Sequence, residues 1–347
     1  MMSYTTLLIL SYLLPHTTSM TNYTALVSGY NDRISRINIS QTDSGIEMTM
    51  AGTWDVDKDM TWLQVEGDIL YAAHEVEKYG GQDGGAVSRW KISETGLTRL
   101  ETVVLPTISP AHILVSQDLG LVFTANYGGH SFTAVTLSGA RLGNISYQET
   151  FKTGVSHPHQ VVQLGRWVWV VDLGLDTIWH YTVQDKEVIK LGKTEVRSGM
   201  GPRHMVVDEQ RNLGFLIGEL QSVVAVYKID LTDGSLELVQ EVPLSPQPGD
   251  YGAEILLGGG KVYASSRGSG VICVYNITED DRLVKIQDFY LGGSWPRHFA
   301  IKDQILLVAD QRGDSVQLVN IDKDTGTLWG GDMVGTEDQP AFILFLD

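Results

Sequence analysis

The amino-acid sequence predicts an all-β fold: a seven-bladed β-propeller whose ring is closed by the C-terminal strand completing the N-terminal blade. Three observations predict it. A segment built from a small or proline-led turn and an apolar run recurs seven times, at spacings of 44 to 50 residues. An alternating run ending on an aliphatic residue recurs seven times between its copies. The chain enters partway through one unit and leaves on a lone copy of the first segment.

The first segment appears as Met60-Thr61-Trp62-Leu63, Pro110-Ala111-His112-Ile113, Pro158-His159-Gln160-Val161 and Pro202-Arg203-His204-Met205, then as Gly252-Ala253-Glu254-Ile255, Pro296-Arg297-His298-Phe299 and Pro340-Ala341-Phe342-Ile343. The second runs from Ile34–Ile39 through Val87–Ile92, Phe132–Leu137, Ile178–Val183, Val224–Ile229 and Val271–Ile277 to Val316–Ile321. Period-2 alternation of β-branched and aromatic residues marks both as strands. Between them lie apolar runs that end on polar or glycine residues, such as Leu121–Tyr127 and Phe215–Glu219. Each unit therefore reads as an inner strand, a hairpin, a middle strand and outer strands, the size of a propeller blade. A final inner strand, Pro340 to Leu346, joins the unit begun near Ala25–Gly29 and leaves no open sheet edge. One domain over residues 20–347 follows, since no linker-like change of composition interrupts the series.

Composition narrows the function. With 43% hydrophobic residues among 347, the chain can bury a large core, and its 37 glycines suit tight turns. The net charge of −17 and the lack of a Lys/Arg cluster exclude a nucleic-acid binder and predict a solvated acidic exterior. The single cysteine, Cys273, excludes an intrachain disulfide and a cysteine-rich metal site, and its apolar surroundings make it a buried structural thiol.

Residues 1–19 carry an apolar run, Leu7 to Leu14, of signal-peptide length and too short to span a bilayer, although the usual basic leader is missing. Four of the eight asparagines, Asn22, Asn38, Asn144 and Asn276, stand in N-glycosylation sequons. Together these predict a secreted glycoprotein; a cytoplasmic protein with an uncleaved apolar tail is the alternative.

In a propeller, inner-strand starts and middle-strand ends surround one central channel. The inner positions carry His159, Arg203 and Arg297, followed by His112, His204, Glu254 and His298; the middle-strand ends carry His74, Glu75, Asn126, Tyr127, Asp172, Glu219, Arg267, Asp310 and Gln311. Arginine forks suit carboxylate or phosphate, histidine and glutamate suit proton transfer near neutral pH, and arginine or histidine can stabilise an oxyanion. The blander reading makes the histidines backbone-bonded structural residues and the arginines partners of acidic neighbours. With arginines at these positions, no metal is expected there. Gly80–Gly85 reads as a flexible loop without phosphate-loop context, and no serine-hydrolase elbow occurs.

Gly201-Pro202-Arg203-His204-Met205 with Gly218-Glu219-Leu220 downstream resembles the lactonase family of seven-bladed propellers, which includes 6-phosphogluconolactonases and 3-carboxy-cis,cis-muconate lactonizing enzymes. Pro110–Ile113, Ala125–Gly129, His157–His159 and Trp295–Arg297 support the resemblance, which spans about residues 24–347. It implies His159, Arg203, Glu219 and Arg267 as catalytic residues; of the repeated channel positions, Arg297, His298, His204, Asn126 and Tyr127 are expected to bind substrate. It further implies no cofactor, and a small anionic lactone or polycarboxylate that is hydrolysed or, in the reverse sense, cyclised. Arg203 and Arg267 would hold the anionic groups while Glu219 or His159 activates water. The signal-like leader and Glu254 depart from a cytosolic sugar-phosphate enzyme. The competing function is a secreted, non-catalytic propeller that binds a ligand or protein.

Overall fold

The structure, a computed structural model, describes residues 22–42, 45–244, 247, 250–293, 295–336 and 339–346. The candidate signal segment, residues 1–19, lies outside the described residues. Among the described residues there is no helix, and seven four-stranded antiparallel sheets follow one another around a ring. Blade 1 joins the two ends of the chain: Pro340–Leu346 is its innermost strand, followed outward by Asn22–Gly29, Arg33–Thr42 and Gly45–Asp55. Its register sets Val27 opposite Ile343 and Ser28 opposite Phe342. Blades 2 to 7 begin with the inner strands Met60–Glu66, Pro110–Ser116, Pro158–Leu164, Pro202–Asp208, Gly252–Gly258 and Pro296–Lys302, each followed by three further strands toward the rim.

Burial explains the strand patterns. The second strands are sandwiched between neighbouring blades, so all six residues are buried in Leu121–Asn126, Trp167–Asp172, Leu213–Gly218 and Ile305–Asp310. Rim strands have one wet face and alternate, as in Arg141–Thr150. The core is split into seven apolar clusters, each holding side chains from two consecutive blades. One joins Leu307 and Val316 of blade 7 to Val27 and Ile343 of blade 1, and another joins Leu26 and Phe342 of blade 1 to Met60 and Leu70 of blade 2. Cys273 belongs to the cluster between blades 5 and 6 and is fully buried, where burial pushes its thiol pKa up.

Gly80–Gly85 does not form an open loop. Lys78–Tyr79 and Gln82–Asp83 pair as a small hairpin, anchored by Tyr79 on Asp57 and by Arg99 Nη1 donating to Asp57 at 2.7 Å. Gly84, at φ 130°, is obligatory there, because an added Cβ would stand 2.0 Å from the Leu105 carbonyl oxygen.

Two repeated backbone features aim side chains at the axis. Near the start of every inner strand the register shifts, leaving Thr61, Ala111, His159, Arg203, Arg297 and Ala341, with Ala253 and Glu254, unmatched by the second strand. Such bulges re-aim a side chain. The residue just past the second strand is pinned as well. In blades 2 to 7 its N–H donates to the carbonyl just before the inner strand, at 2.7 Å for Glu219 onto Gly201 and 2.8 Å for both Tyr127 onto Ser109 and Arg267 onto Tyr251. The accepting loop often adopts a left-handed conformation, at Asp59 (φ 53°), Ser109 (φ 51°), Gly201 (φ 60°) and Trp295 (φ 77°).

Candidate functional site

The two pinned positions bring charged side chains to one end of the channel. Bulged positions supply His159, Arg203 and Arg297; positions just past the second strands supply Tyr30, Glu75, Tyr127, Glu219 and Arg267. All four residues expected to be catalytic stand together here. Glu219 Oε2 bridges two guanidiniums, 3.2 Å from Arg203 Nε and 2.9 Å from Arg267 Nη2. Arg203 is 2% exposed, and its Nη1 also donates to the Ala253 carbonyl at 2.6 Å. Burial pulls Arg203 down to about 9, which leaves it charged at neutral pH. The expectation of arginines paired with acids is met at this carboxylate. Glu219 nevertheless keeps its Oε1 without a hydrogen bond or ion pair among the described residues, and its side chain is 17% exposed.

Arg297 is half-buried on the same face. Its Nη2 donates to the Tyr30 hydroxyl at 2.8 Å, and that hydroxyl donates to Glu75 Oε2 at 3.0 Å. Burial pushes Tyr30 up to about 12, so the phenol keeps its proton. At the rim, Arg267 lies over the rings of Tyr251 and Trp295, at 5.7 and 5.3 Å from their centroids. Tyr127 flanks His159 edge-on with ring centres 5.7 Å apart, and His157 stacks on Tyr127 at 4.4 Å.

Beneath this layer a second ring closes the channel. Trp62 occupies the axis, with His112 at 4.3 Å, Phe342 at 4.5 Å, His204 at 5.2 Å and His298 at 5.3 Å between ring centres. His204, expected to touch substrate, is fully buried: Nδ1 lies 3.0 Å from both Glu254 oxygens and Nε2 lies 3.1 Å from His159 Nδ1. His298 is also buried, accepting the Ile343 N–H on Nδ1 and facing Glu254 Oε2 at 3.4 Å. Both lie below the charged layer because they follow the bulged residue by one position, where extended backbone points the other way. Asn126 is fully buried inside blade 3, its Nδ2 donating to Ser131 and Thr133, and it does not reach the channel mouth. Asp172 likewise serves its own loop, accepting from the His157 and Leu175 N–H groups. Of the sequon residues, Asn22, Asn38 and Asn144 are exposed and Asn276 is half-buried.

The site residues missed in the sequence are Tyr30, Tyr251 and Trp295. Tyr30 occupies in the incomplete first unit the position that Glu219 holds in blade 5, so the repeat did carry a signal for it. Tyr251 and Trp295 each precede an inner strand, a position without a recurrent residue type.

The buried histidines make stability depend on pH. Burial lowers His112 to about 3 and His298 to about 4, and lowers His159 and His204 well below the usual 6.5. As pH falls below 6.5 the unfolded chain binds protons that the folded protein refuses, so stability is full above 6.5 and drops toward pH 4. At pH 5 the loss is about 2 kcal/mol for each of His112 and His298. The urea midpoint should therefore fall between pH 7 and 5. His112→Phe, which replaces a ring whose Nδ1 has no partner, should flatten that slope; a pH-independent midpoint in the wild type would contradict the assignment.

The comparisons with known proteins agree with this architecture. A 6-phosphogluconolactonase of Pectobacterium carotovorum is 26% identical over 253 residues, covering 70% of this chain and 76% of the relative. A 6-phosphogluconolactonase of Bacillus subtilis is 26% identical over 284 residues, covering 75% and 79%. A solved Lactobacillus plantarum protein superposes with a TM-score of 0.86 at 25% identity, covering 94% of this chain and all of the other. The periplasmic gluconolactonase of Pseudomonas aeruginosa shares the fold at a TM-score of 0.84 and 20% identity, covering 94% of this chain and 99% of its own. The profile of the family "Lactonase, 7-bladed beta-propeller" matches residues 18–343, and the chain belongs to that family.

Proposed function

We propose that the protein hydrolyses a small anionic lactone at the charged end of the channel. The observation that carries this reading is the Arg203–Glu219–Arg267 bridge beside His159: two fixed cations and a neutral imidazole around one partly buried carboxylate. The lactonases among its relatives support it.

Each group has a task set by its geometry. Arg267 and Arg297, toward the mouth, hold the carboxylate or phosphate of the substrate. Arg203, anchored on Ala253 and nearly inaccessible, supplies fixed positive charge where the carbonyl oxygen becomes an oxyanion. His159, held neutral by burial and by the nearby arginines, takes the proton from the attacking water. The same proton then goes to the ring oxygen as the C–O bond breaks. Glu219 holds the two guanidiniums apart, and its free Oε1 accepts from water or a substrate hydroxyl. Proton release from a panel of phosphorylated, carboxylated and neutral lactones tests the reading. Turnover of an anionic member is expected; silence across the panel would leave the binding-scaffold function in its place.

Export to a glycosylating compartment is a separate proposal, supported by the signal-like leader and by three exposed sequon asparagines. The intact mass of the protein from its own host should show a shortened N-terminus and a glycosidase-sensitive increment; full length and bare mass would refute it.

A further inference from the structure

Below the charged layer, a buried carboxylate and two imidazoles stand in line: Glu254, His204, His159. The partners around this line favour one placement of its protons. His298 Nδ1 accepts the Ile343 N–H at 3.2 Å, so a neutral His298 carries its proton on Nε2, which faces Glu254 Oε2 at 3.4 Å. Glu254 Oε1 accepts the Ile255 N–H at 3.0 Å. Both carboxylate oxygens thus already face donors, which favours the ionised form. His204 Nδ1 lies 3.0 Å from both oxygens and must then donate, because two lone pairs cannot face each other at that distance. His204 Nε2 is left as an acceptor, and the partner at 3.1 Å is His159 Nδ1, which must donate to it. His159 Nε2 is what remains: it has no partner among the described residues and is not sealed from solvent.

The charged neighbours act on this order in both directions. Arg203 Nη1 approaches His204 Nδ1 at 3.4 Å but is itself a donor, with its shorter bond to Ala253. Its charge, with that of Arg297, favours an ionised Glu254 against the burial that raises this carboxyl. The Ser265 hydroxyl accepts the Glu254 N–H at 3.0 Å, so the backbone that carries the carboxylate is held too.

We propose that Glu254 and His204 are positioning residues that lock His159 with its proton on Nδ1 and its lone pair on Nε2, making His159 a ready base in the resting protein. The kinetic consequence rests on the lactone-hydrolysis reading; the tautomer itself does not. A carboxylate orienting one imidazole is a general device for fixing a tautomer, extended here by a second ring. It also gives a role to Glu254, which would otherwise weaken anion binding without return.

The test is the imidazole nitrogen spectrum of the protein labelled with ¹⁵N-histidine, read without substrate. Protons on Nδ1 of both His204 and His159 are expected; a proton on Nε2 of either overturns the proposal. In Glu254→Gln, His159 should shift toward the Nε2–H form, and kcat should fall about 100-fold with KM within about threefold, as for loss of an oriented base. Glu254→Asp, which keeps a carboxylate, should restore at least about tenfold of that loss. A purely structural role would leave the tautomer unchanged in Glu254→Gln and would overturn the proposal. If Glu254→Gln does not fold, the wild-type spectrum decides alone. Nδ1–H tautomers together with undiminished turnover in His159→Gln would support the lock and overturn the choice of His159 as base.

Discussion

Arg203→Met should lower kcat/KM for lactone hydrolysis by about 10³-fold, the upper range for removing one preorganised oxyanion donor. Arg203 is the most enclosed of the three mouth arginines, and its fork is held by the Nη1 hydrogen bond to Ala253 and the Nε ion pair with Glu219. Charge held in this way costs no reorganisation when the oxyanion forms. Methionine removes it, leaves the Ala253 carbonyl without its donor and leaves Glu219 to Arg267 alone. Breaking such a buried pair typically costs about 3–5 kcal/mol of stability, so unfolding must be measured beside turnover. Arg203→Lys separates charge from geometry. A lysine keeps the charge but cannot reach Ala253 and Glu219 with one planar fork, and it should still lose about 10²-fold. Equal activity in Arg203→Lys and the wild type would show that only net charge matters there.

Ending the chain at Gln339 should abolish the folded monomer. Pro340–Leu346 is the innermost strand of blade 1, and it serves two inter-blade clusters at once. Ile343 and Phe345 pack with blade 7, whereas Phe342, Leu344 and Leu346 pack with blade 2, and Phe342 also closes the axis against Trp62. Burying side chains of this size contributes about 1.5–3 kcal/mol each, so removing the strand forfeits a sum comparable with the whole stability of a domain, about 5–15 kcal/mol. It would also expose the edge of Asn22–Gly29, now paired from Thr24 to Gly29, as a template for aggregation. Adding the missing strand as a separate peptide should restore soluble protein. A truncated chain that unfolds cooperatively near the wild-type temperature would contradict the closed ring.

The fold was legible because every unit repeats the same two patterns, and repetition averages out the ambiguity of any one strand. The phase was legible too: a start near Ala25 and an end on Pro340–Leu346 leave one consistent way to close. The site was legible only as a set of register positions. The repeat marked a wider set of channel-facing positions, and the resemblance to the lactonase family narrowed it to His159, Arg203, Glu219 and Arg267. What the sequence did not carry was the bulge. Without it, neighbouring positions on the inner strand look equally able to reach the channel, which is why His204 and His298 were expected beside the substrate. The bulge sends Arg203 to the charged layer and leaves His204 beneath it against Trp62. Asn126 illustrates a different limit: its side chain turns into blade 3 to meet Ser131 and Thr133, a hydrogen-bond choice invisible in spacing. Gly80–Gly85 reads as a loop on glycine content, yet the Tyr79–Asp57 and Arg99–Asp57 contacts fold it into a hairpin.

The central claim is that distant residues of the repeat form one hydrolytic centre at the channel mouth. Its most direct test is proton release from an anionic lactone, with wild type and Arg203→Met prepared and assayed side by side. The wild type should turn the lactone over, and the variant should be about 10³-fold slower in kcat/KM while still folded. Equal rates in the two proteins would place any activity elsewhere and contradict the site.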